Sequence, residues 1–235
     1  VLVTELAPRT LAAIDIDADR DAARAWIDQR YASVSESSVR LNMIASITGA
    51  AVGGDGTSET LTGGADRLIL GAIRAAADAV VVGAQTVRAE GYLLPRSAVL
   101  AVVTRSGSLE GLRVPDGVRD RLLVLCPASR THDVQTAVAH LPADVIGLRD
   151  EDLAPQAIVD VLRERGLRRL VCEGGPSLAG QFARAGVIDE YCVTIAPALT
   201  PADHPFIALV ESAGTEIAGH LVDEAGFTYL RLRSR

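Results

Sequence analysis

The chain contains no lysine; all 23 of its basic residues are arginines. That absence excludes the mechanisms that need an ammonium group. Among them are the phosphate-binding loop ending in Gly-Lys-Ser/Thr, the pyridoxal Schiff base, the lysine aldolases and the kinase strand lysine. An anion has to be held by arginine, hydroxyls or backbone N–H groups. Aromatic residues make up only 3%, too few for a surface that stacks single-stranded bases. The net charge of −7 lacks the concentrated basic face of a phosphate-backbone binder, so no nucleic-acid partner is expected. The four histidines make no paired spacing with one another or with cysteine, so no metal is expected. Cys126, Cys172 and Cys192 lie far apart, each inside an apolar run, and read as buried reduced thiols. There is no secretory apolar region, and no apolar run reaches the roughly eighteen residues of a membrane span. The expectation is a cytoplasmic protein without membrane contact.

What is present is a chain of 235 residues, 49% apolar and 23% charged, long enough for one large domain or a domain with appendages. Residues 1–38 are acidic and alanine-rich, with a helical stretch from Asp17 to Tyr31 and a polar run from Ser33 to Ser38. They read as a peripheral helix and linker ahead of a main domain over 39–235. Short β-rich runs then recur at Val39–Ala45, Ala79–Val82, Val99–Thr104, Arg121–Cys126, Asp144–Leu148, Leu170–Cys172, Tyr191–Ala196 and Phe227–Leu232. Between them lie helical patterns: Ala65, Leu68, Ile69, Ala72, Ile73 and Ala76 after Thr62 as N-cap, Leu153 to Leu162 with Pro155 in the first turn, and Ser177 to Ala185. The alternation predicts a three-layer α/β fold with helices on both faces of a mostly parallel sheet, closed by an antiparallel C-terminal edge pair.

Three segments carry candidate chemistry. Leu170-Val-Cys-Glu-Gly-Gly-Pro-Ser-Leu178 is a buried strand running through two glycines into a helix that opens with proline. Such a helix start offers free N–H donors to a pyrophosphate, and the glycines let backbone approach it. Glu173 stands at the carboxyl end of the strand, where open α/β sheets bind ligands. Asp78-Ala-Val-Val-Val-Gly-Ala-Gln-Thr-Val-Arg-Ala-Glu-Gly-Tyr92, a buried strand followed by glycine, a hydroxyl and a short helical turn, repeats the logic. The third combines Asn42-Met-Ile-Ala-Ser-Ile-Thr-Gly49 with the glycine-rich loop Gly53–Ser58 and Leu61-Thr-Gly63. Neither the dinucleotide fingerprint Gly-x-Gly-x-x-Gly nor a Gly-x-Ser-x-Gly elbow occurs.

Together, and in this order, the segments resemble the reductase half of the bifunctional riboflavin-biosynthesis deaminase-reductase, a dihydrofolate-reductase-like family. The resemblance runs from about Val39 to the C-terminus. The family's Ser-Leu-Asp-Gly reads Ser46-Ile-Thr-Gly49, its Ser-x-Trp-Ile-Thr-Gly reads Ser58-Glu-Thr-Leu-Thr-Gly63, its Val-Gly-x-Gly-Thr-Val reads Val82-Gly-Ala-Gln-Thr-Val87, and its Glu-Gly-Gly-Pro-Thr-Leu reads Glu173-Gly-Gly-Pro-Ser-Leu178.

The resemblance implies NADPH-dependent reduction of a 5-amino-6-ribosylamino-pyrimidine phosphate. Substrate contacts carry over to Asn42, Ser58, Thr62, Arg74 and Arg96, with Glu90 and Glu173 as catalytic candidates that manage the proton or hold ribose hydroxyls. Cofactor contacts carry over to Thr48, Gly49, Thr86 and Val87, and to the turn Gly174, Gly175, Pro176, Ser177 and Leu178. Thr104, Arg105 and Ser106 are placed to read the cofactor's 2′-phosphate. A homodimer is implied as well, and the apolar strands Tyr191-Val193-Ile195 and Phe227-Tyr229-Leu230 offer edges to pair.

The departures fall mainly on the substrate side. Asn42 stands for a lysine, Thr48 for an aspartate, Thr60 for a tryptophan, Glu90 for an aspartate, and Gly91-Tyr92 for Asp/Asn-Pro. They point to a stand-alone paralogue and keep two alternatives open: a dihydrofolate or pterin reductase, and an NADPH-binding paralogue without catalysis. No His-x-Glu with a downstream Pro-Cys-x-x-Cys occurs in these residues, so zinc-dependent deamination is excluded from them.

Overall fold

The computed structural model describes residues 1–8, 10–32, 35–115, 118, 120–149 and 151–235; Ser33, at the start of the polar run, lies outside them. From the N-terminus come β1 (Leu2–Ala7), β2 (Ala13–Asp15), α1 (Arg20–Tyr31), β3 (Ser38–Ser46), a 3₁₀ turn (Glu59–Leu61), α2 (Asp66–Ala75), β4 (Ala79–Gly83) and α3 (Ala84–Glu90). They are followed by β5 (Val99–Val103), β6 (Leu122–Pro127), α4 (Thr131–Ala137), β7 (Asp144–Leu148) and α5 (Pro155–Glu164). The chain finishes with β8 (Arg169–Gly174), α6 (Pro176–Arg184), β9 (Glu190–Ala196), β10 (Thr215–Asp223) and β11 (Thr228–Ser234).

The strands form one sheet in the order β2-β1-β10-β11-β9-β3-β8-β4-β5-β6-β7. From β9 to β7 every pairing is parallel. The sequence explains why. Ala79, Val80, Val81 and Val82 of β4 are all fully buried. Val80 and Val82 face a core built on α2, α3 and α4, while Ala79 and Val81 face a second core under α5 and α6. A strand covered on both faces must be apolar at every position. Phe182 of α6 is fully buried in the second core, a burial that stabilises by about 1.5–3 kcal/mol. The three cysteines are free and buried.

The structure alters the sequence reading in three places. The N-terminal residues carry β1 and β2 as well as α1, and these strands extend the sheet beyond β10. The antiparallel part therefore holds five strands rather than an edge pair. Tyr191–Ala196 and Phe227–Leu232 do lie side by side, but β9 is also bonded to β3 and β11 to β10. They are interior strands, so they are not free edges for a second copy. Thr62 does not cap α2: its hydroxyl donates to the Ser58 carbonyl at 3.3 Å. Gly63 and Gly64 intervene, and the N-cap position of the helix is held instead by Ala65, whose N–H donates to the Tyr229 hydroxyl at 2.7 Å.

α1 is fastened to the sheet by charge. Asp19 caps it, accepting from the N–H groups of Asp21 and Ala22 at 3.0 Å. Arg40 on β3 donates to the Tyr31 carbonyl at the end of the helix, and its Nε lies 2.8 Å from Glu190. Burial pushes the Glu190 carboxyl up, but hydrogen bonding and charge from Arg231 and Arg40 outweigh it and hold the group below the ordinary glutamate range.

Candidate active site

β3 lies between β8 and β9; the chain runs from β3 through α2 to β4 on one side of it and from β8 through α6 to β9 on the other, a reversal of the kind that opens a crevice at the carboxyl ends of parallel strands. A cavity of about 1110 Å³ sits there, lined from β3, α2, β4, α3, β5, β8 and α6. A pocket for one small ligand occupies roughly 300–1,000 Å³, so there is room for a dinucleotide and part of a second molecule.

One end is backbone. Pro176 occupies the first position of α6, and the first-turn N–H groups after it have no acceptor within the helix. Gly174 has φ of +72°, a left-handed conformation that favours glycine, and turns the strand into the helix. A Cβ on Gly175 would lie 2.7 Å from Thr86 Oγ1, which accepts the Gly175 N–H at 2.9 Å. Across from this turn, Thr104 is buried and accepts from the N–H groups of Ser106 and Gly107. That leaves Arg105 exposed, 3.7 Å from Asp152.

The other end is a charged cluster. Glu173 and Arg74 form a two-point pair, Nε to Oε1 at 2.7 Å and Nη2 to Oε2 at 2.6 Å, with the Glu173 side chain 7% exposed and that of Arg74 25%. The Tyr92 hydroxyl donates to Glu173, and Arg74 donates to the same hydroxyl oxygen at 2.7 Å while lying over the ring. Burial alone would lower the Arg74 pKa, but Glu173 outweighs it and raises it. Burial pushes the Tyr92 phenol well up, with the Glu173 charge adding to the effect. Beside them, Glu90 accepts the Ser58 N–H at 3.0 Å and its hydroxyl at 3.1 Å. α3 ends at Gly91 in the left-handed region, which directs Tyr92 back toward Arg74.

Most of the expected residues converge. Asn42, Ser58, Thr62, Arg74, Glu90 and Glu173 line the cavity, as do Thr86, Thr104, Arg105, Ser106 and the turn from Gly174 to Leu178. Four do not. Val87 is fully buried in the core, because the apolar face of the short α3 turns inward. Thr48 bonds to the Thr200 carbonyl at 2.5 Å, and neither it nor Gly49 is among the lining residues. Arg96 is exposed away from the cavity, and its carbonyl accepts from Arg121 at 2.7 Å. Tyr92 and Asp66 line the cavity without having been assigned there. The sequence signal for Tyr92 was its position beside Glu90. For Asp66 it was the i, i+4, i+8 series with Leu70 and Arg74.

A family model described as the RibD C-terminal domain matches residues 37–211. The chain belongs to the RibD C-terminal domain family. A riboflavin biosynthesis protein RibD from Mycobacterium tuberculosis is 35% identical over 183 residues, covering 75% of this chain and 46% of that protein. The chain thus spans about half the length of that relative. Among solved structures, a pyrimidine reductase-like protein from Corynebacterium diphtheriae superposes with a TM-score of 0.72 at 22% identity, over 89% of this chain and 98% of the other. The riboflavin biosynthesis reductase Rib7 of Saccharomyces cerevisiae gives 0.66 at 15% identity, over 88% and 97%. At these identities the likeness shows the fold alone, an α/β sheet with helices on both faces as the sequence led one to expect. Among the described residues, the RibD-type domain has no helix long and apolar enough to cross a membrane.

Proposed function

We propose that this RibD-type domain is an NADPH-dependent reductase of a 5-amino-6-ribosylamino-pyrimidine phosphate or a close relative, with the reaction class of riboflavin biosynthesis. The observation that carries the reading is one cavity with two unlike ends: the unbonded α6 N-terminus behind Gly174 and Gly175, and the Arg74–Glu173–Tyr92 cluster. The first suits the pyrophosphate of a dinucleotide in a chain without lysine. The cofactor fits these residues: the turn has no side chain between ligand and backbone, and Thr86 holds the Gly175 N–H. When bound, it would supply hydride to an electrophilic C=N. The chain's part is to hold the ring against it, with Ser58 and Glu90 fixing the loop over the site and Glu173, Arg74 and Tyr92 forming a rigid polar floor.

Titrating NADPH by absorbance against a panel of aminopyrimidine phosphates and dihydropterins tests the reading. Oxidation of the cofactor with an aminopyrimidine phosphate is expected; binding without consumption across the panel would favour a non-catalytic paralogue. One observation favours the pterin-like alternative. Arg74, the arginine expected to meet a substrate phosphate, already has its charge matched by Glu173.

Arg105 supports a preference for NADPH over NADH, since a guanidinium can form charge-assisted bonds to a 2′-phosphate. Asp152 stands beside it and both are exposed, so the gain is small. Arg105→Ala is expected to cut the NADPH-to-NADH ratio of kcat/KM by about 10-fold; an unchanged ratio would assign the phosphate to another residue. A homodimer, on the family resemblance, and a cytoplasmic location, on the sequence's lack of a secretory or membrane-spanning apolar run, complete the proposal. Sedimentation only as a single-chain species at micromolar protein would overturn the dimer.

A further inference from the structure

Arg74 is the arginine that the motifs place against the substrate, and its five N–H groups are not equally available. A guanidinium offers two forked edges to a planar anion, one made by Nε with Nη2 and the other by Nη1 with Nη2. Glu173 takes the first edge whole, from Nε at 2.7 Å and Nη2 at 2.6 Å. Nη2 also donates to the Tyr92 hydroxyl at 2.7 Å, so the second edge has lost one of its two prongs. Only Nη1 remains, bonded to none of the described residues, on a side chain that lines the cavity and keeps a quarter of its surface exposed.

Tyr92 is held in this place from both ends. It is 9% exposed and belongs to the core under α2, α3 and α4. Its backbone is gripped by the segment after β5: the Arg113 N–H donates to the Tyr92 carbonyl at 2.9 Å, and the Arg113 guanidinium donates twice to the Gly91 carbonyl, at 3.1 and 2.8 Å. The Tyr92 hydroxyl spends its proton on Glu173, which leaves its lone pairs to Arg74. Burial pushes the phenol well up, and the Glu173 charge adds to this, so both bonds persist at neutral pH. Nearby arginines of the cavity are committed as well, Arg67 to Glu59 and Arg113 to Gly91. A phosphate or carboxylate arriving at Arg74 would meet Nη1 without a fork and the Glu173 charge beside it. An uncharged acceptor, a ring carbonyl or ring nitrogen, needs no more than Nη1 supplies.

Resting on the reductase reading above, we propose that Tyr92 is a specificity-determining residue: by occupying the second fork of Arg74, it favours substrates that turn an uncharged heterocyclic edge to Arg74 over those that turn a phosphate or carboxylate to it. Position 92 is one of the departures from the family pattern, and the proline common there could make neither hydroxyl bond. A phosphorylated pyrimidine still enters the cavity, but its phosphate gains little from Arg74.

The experiment measures binding rather than turnover. Wild type and Tyr92→Phe, each saturated with NADP⁺, which has no hydride to give, are titrated calorimetrically with a 5-amino-6-ribosylamino-pyrimidine phosphate and with its dephosphorylated form. Phenylalanine keeps the ring in the core and returns the Nη2 prong. Wild type is expected to bind the two forms within about 10-fold of each other, and Tyr92→Phe to shift the ratio toward the phosphate by about 10- to 100-fold, the effect of one charge-assisted bond. An unchanged ratio in Tyr92→Phe overturns the proposal. So does a wild-type preference for the phosphate above about 10²-fold, a measurement that needs no variant. Inorganic phosphate is a second probe, independent of the substrate's identity. It should raise the melting temperature of Tyr92→Phe more than that of wild type, because the α6 turn is common to both proteins and only the fork of Arg74 differs; equal stabilisation overturns the assignment. Should neither pyrimidine bind, the reductase reading fails, and the inorganic phosphate comparison still decides the role of Tyr92.

Discussion

Arg74→Ala is expected to lower the stability of the fold by about 3 kcal/mol, because removing one partner of a buried pair leaves the other charge without compensation. The Glu173 side chain is 7% exposed and would keep only the Tyr92 hydroxyl. Arg74 is a quarter exposed, which places the figure at the low end of the usual range of about 3–5 kcal/mol. Denaturant unfolding measures it. Arg74→Met combined with Glu173→Gln should recover most of the loss, because no uncompensated charge then remains. A single variant within about 1 kcal/mol of wild type would show that Glu173 is solvated and that the pair is a surface contact of the kind worth about 0–1 kcal/mol. The same pairing bears on the substrate. An arginine neutralised by Glu173 and stacked on Tyr92 recognises a flat polar ring edge better than a phosphate.

The parallel half of the fold was legible because each of its strands is covered on both faces. Val80 to Val82 and Leu122 to Cys126 are apolar at nearly every position, and an uninterrupted apolar run flanked by helical periodicity has one simple reading. β10 was not legible. Its residues Thr-Glu-Ile-Ala-Gly-His-Leu-Val-Asp are exposed or half-buried over the first four positions, with Gly219 in the middle, so its strand character comes from pairing with β1 and β11 rather than from local composition. β1 is half-exposed in the same way. In the site, residue types and strand ends could be read from motifs, while partnerships could not. The Arg74–Glu173 contact spans 99 positions in sequence, and nothing local tells a salt-bridged arginine from a free one. Val87 shows the opposite error: a residue matched by motif turns its side chain into the core because a seven-residue helix has only one face to bury. Asp66 was hidden by commonness, since an acidic residue in the first turn of a helix is stabilised there by the helix dipole and draws no notice.

The turn before α6 carries the second large effect. Gly175→Ala is expected to weaken NADPH binding by about 10²-fold, measured by fluorescence titration, with a much smaller change in melting temperature. The added Cβ would stand 2.7 Å from Thr86 Oγ1, closer than real Cβ atoms approach a neighbour, and the same oxygen is the acceptor of the Gly175 N–H at 2.9 Å. The hydroxyl or the turn has to move, and the N–H groups of the first turn of α6 move with it. Two charge-assisted bonds to a pyrophosphate at about 1.5–3 kcal/mol each are then misaligned, and partial loss of both gives the expected 10²-fold at about 1.4 kcal/mol per decade. Thr86→Ala removes the obstructing atom. In the Gly175→Ala, Thr86→Ala double variant the methyl has room, and part of the affinity should return relative to Gly175→Ala alone, a non-additive recovery of the kind that marks direct contact. If Gly175→Ala binds NADPH like wild type, the cofactor's phosphates do not rest on this turn. If the double variant is merely the sum of the singles, the damage in Gly175→Ala comes from somewhere other than the Thr86 contact.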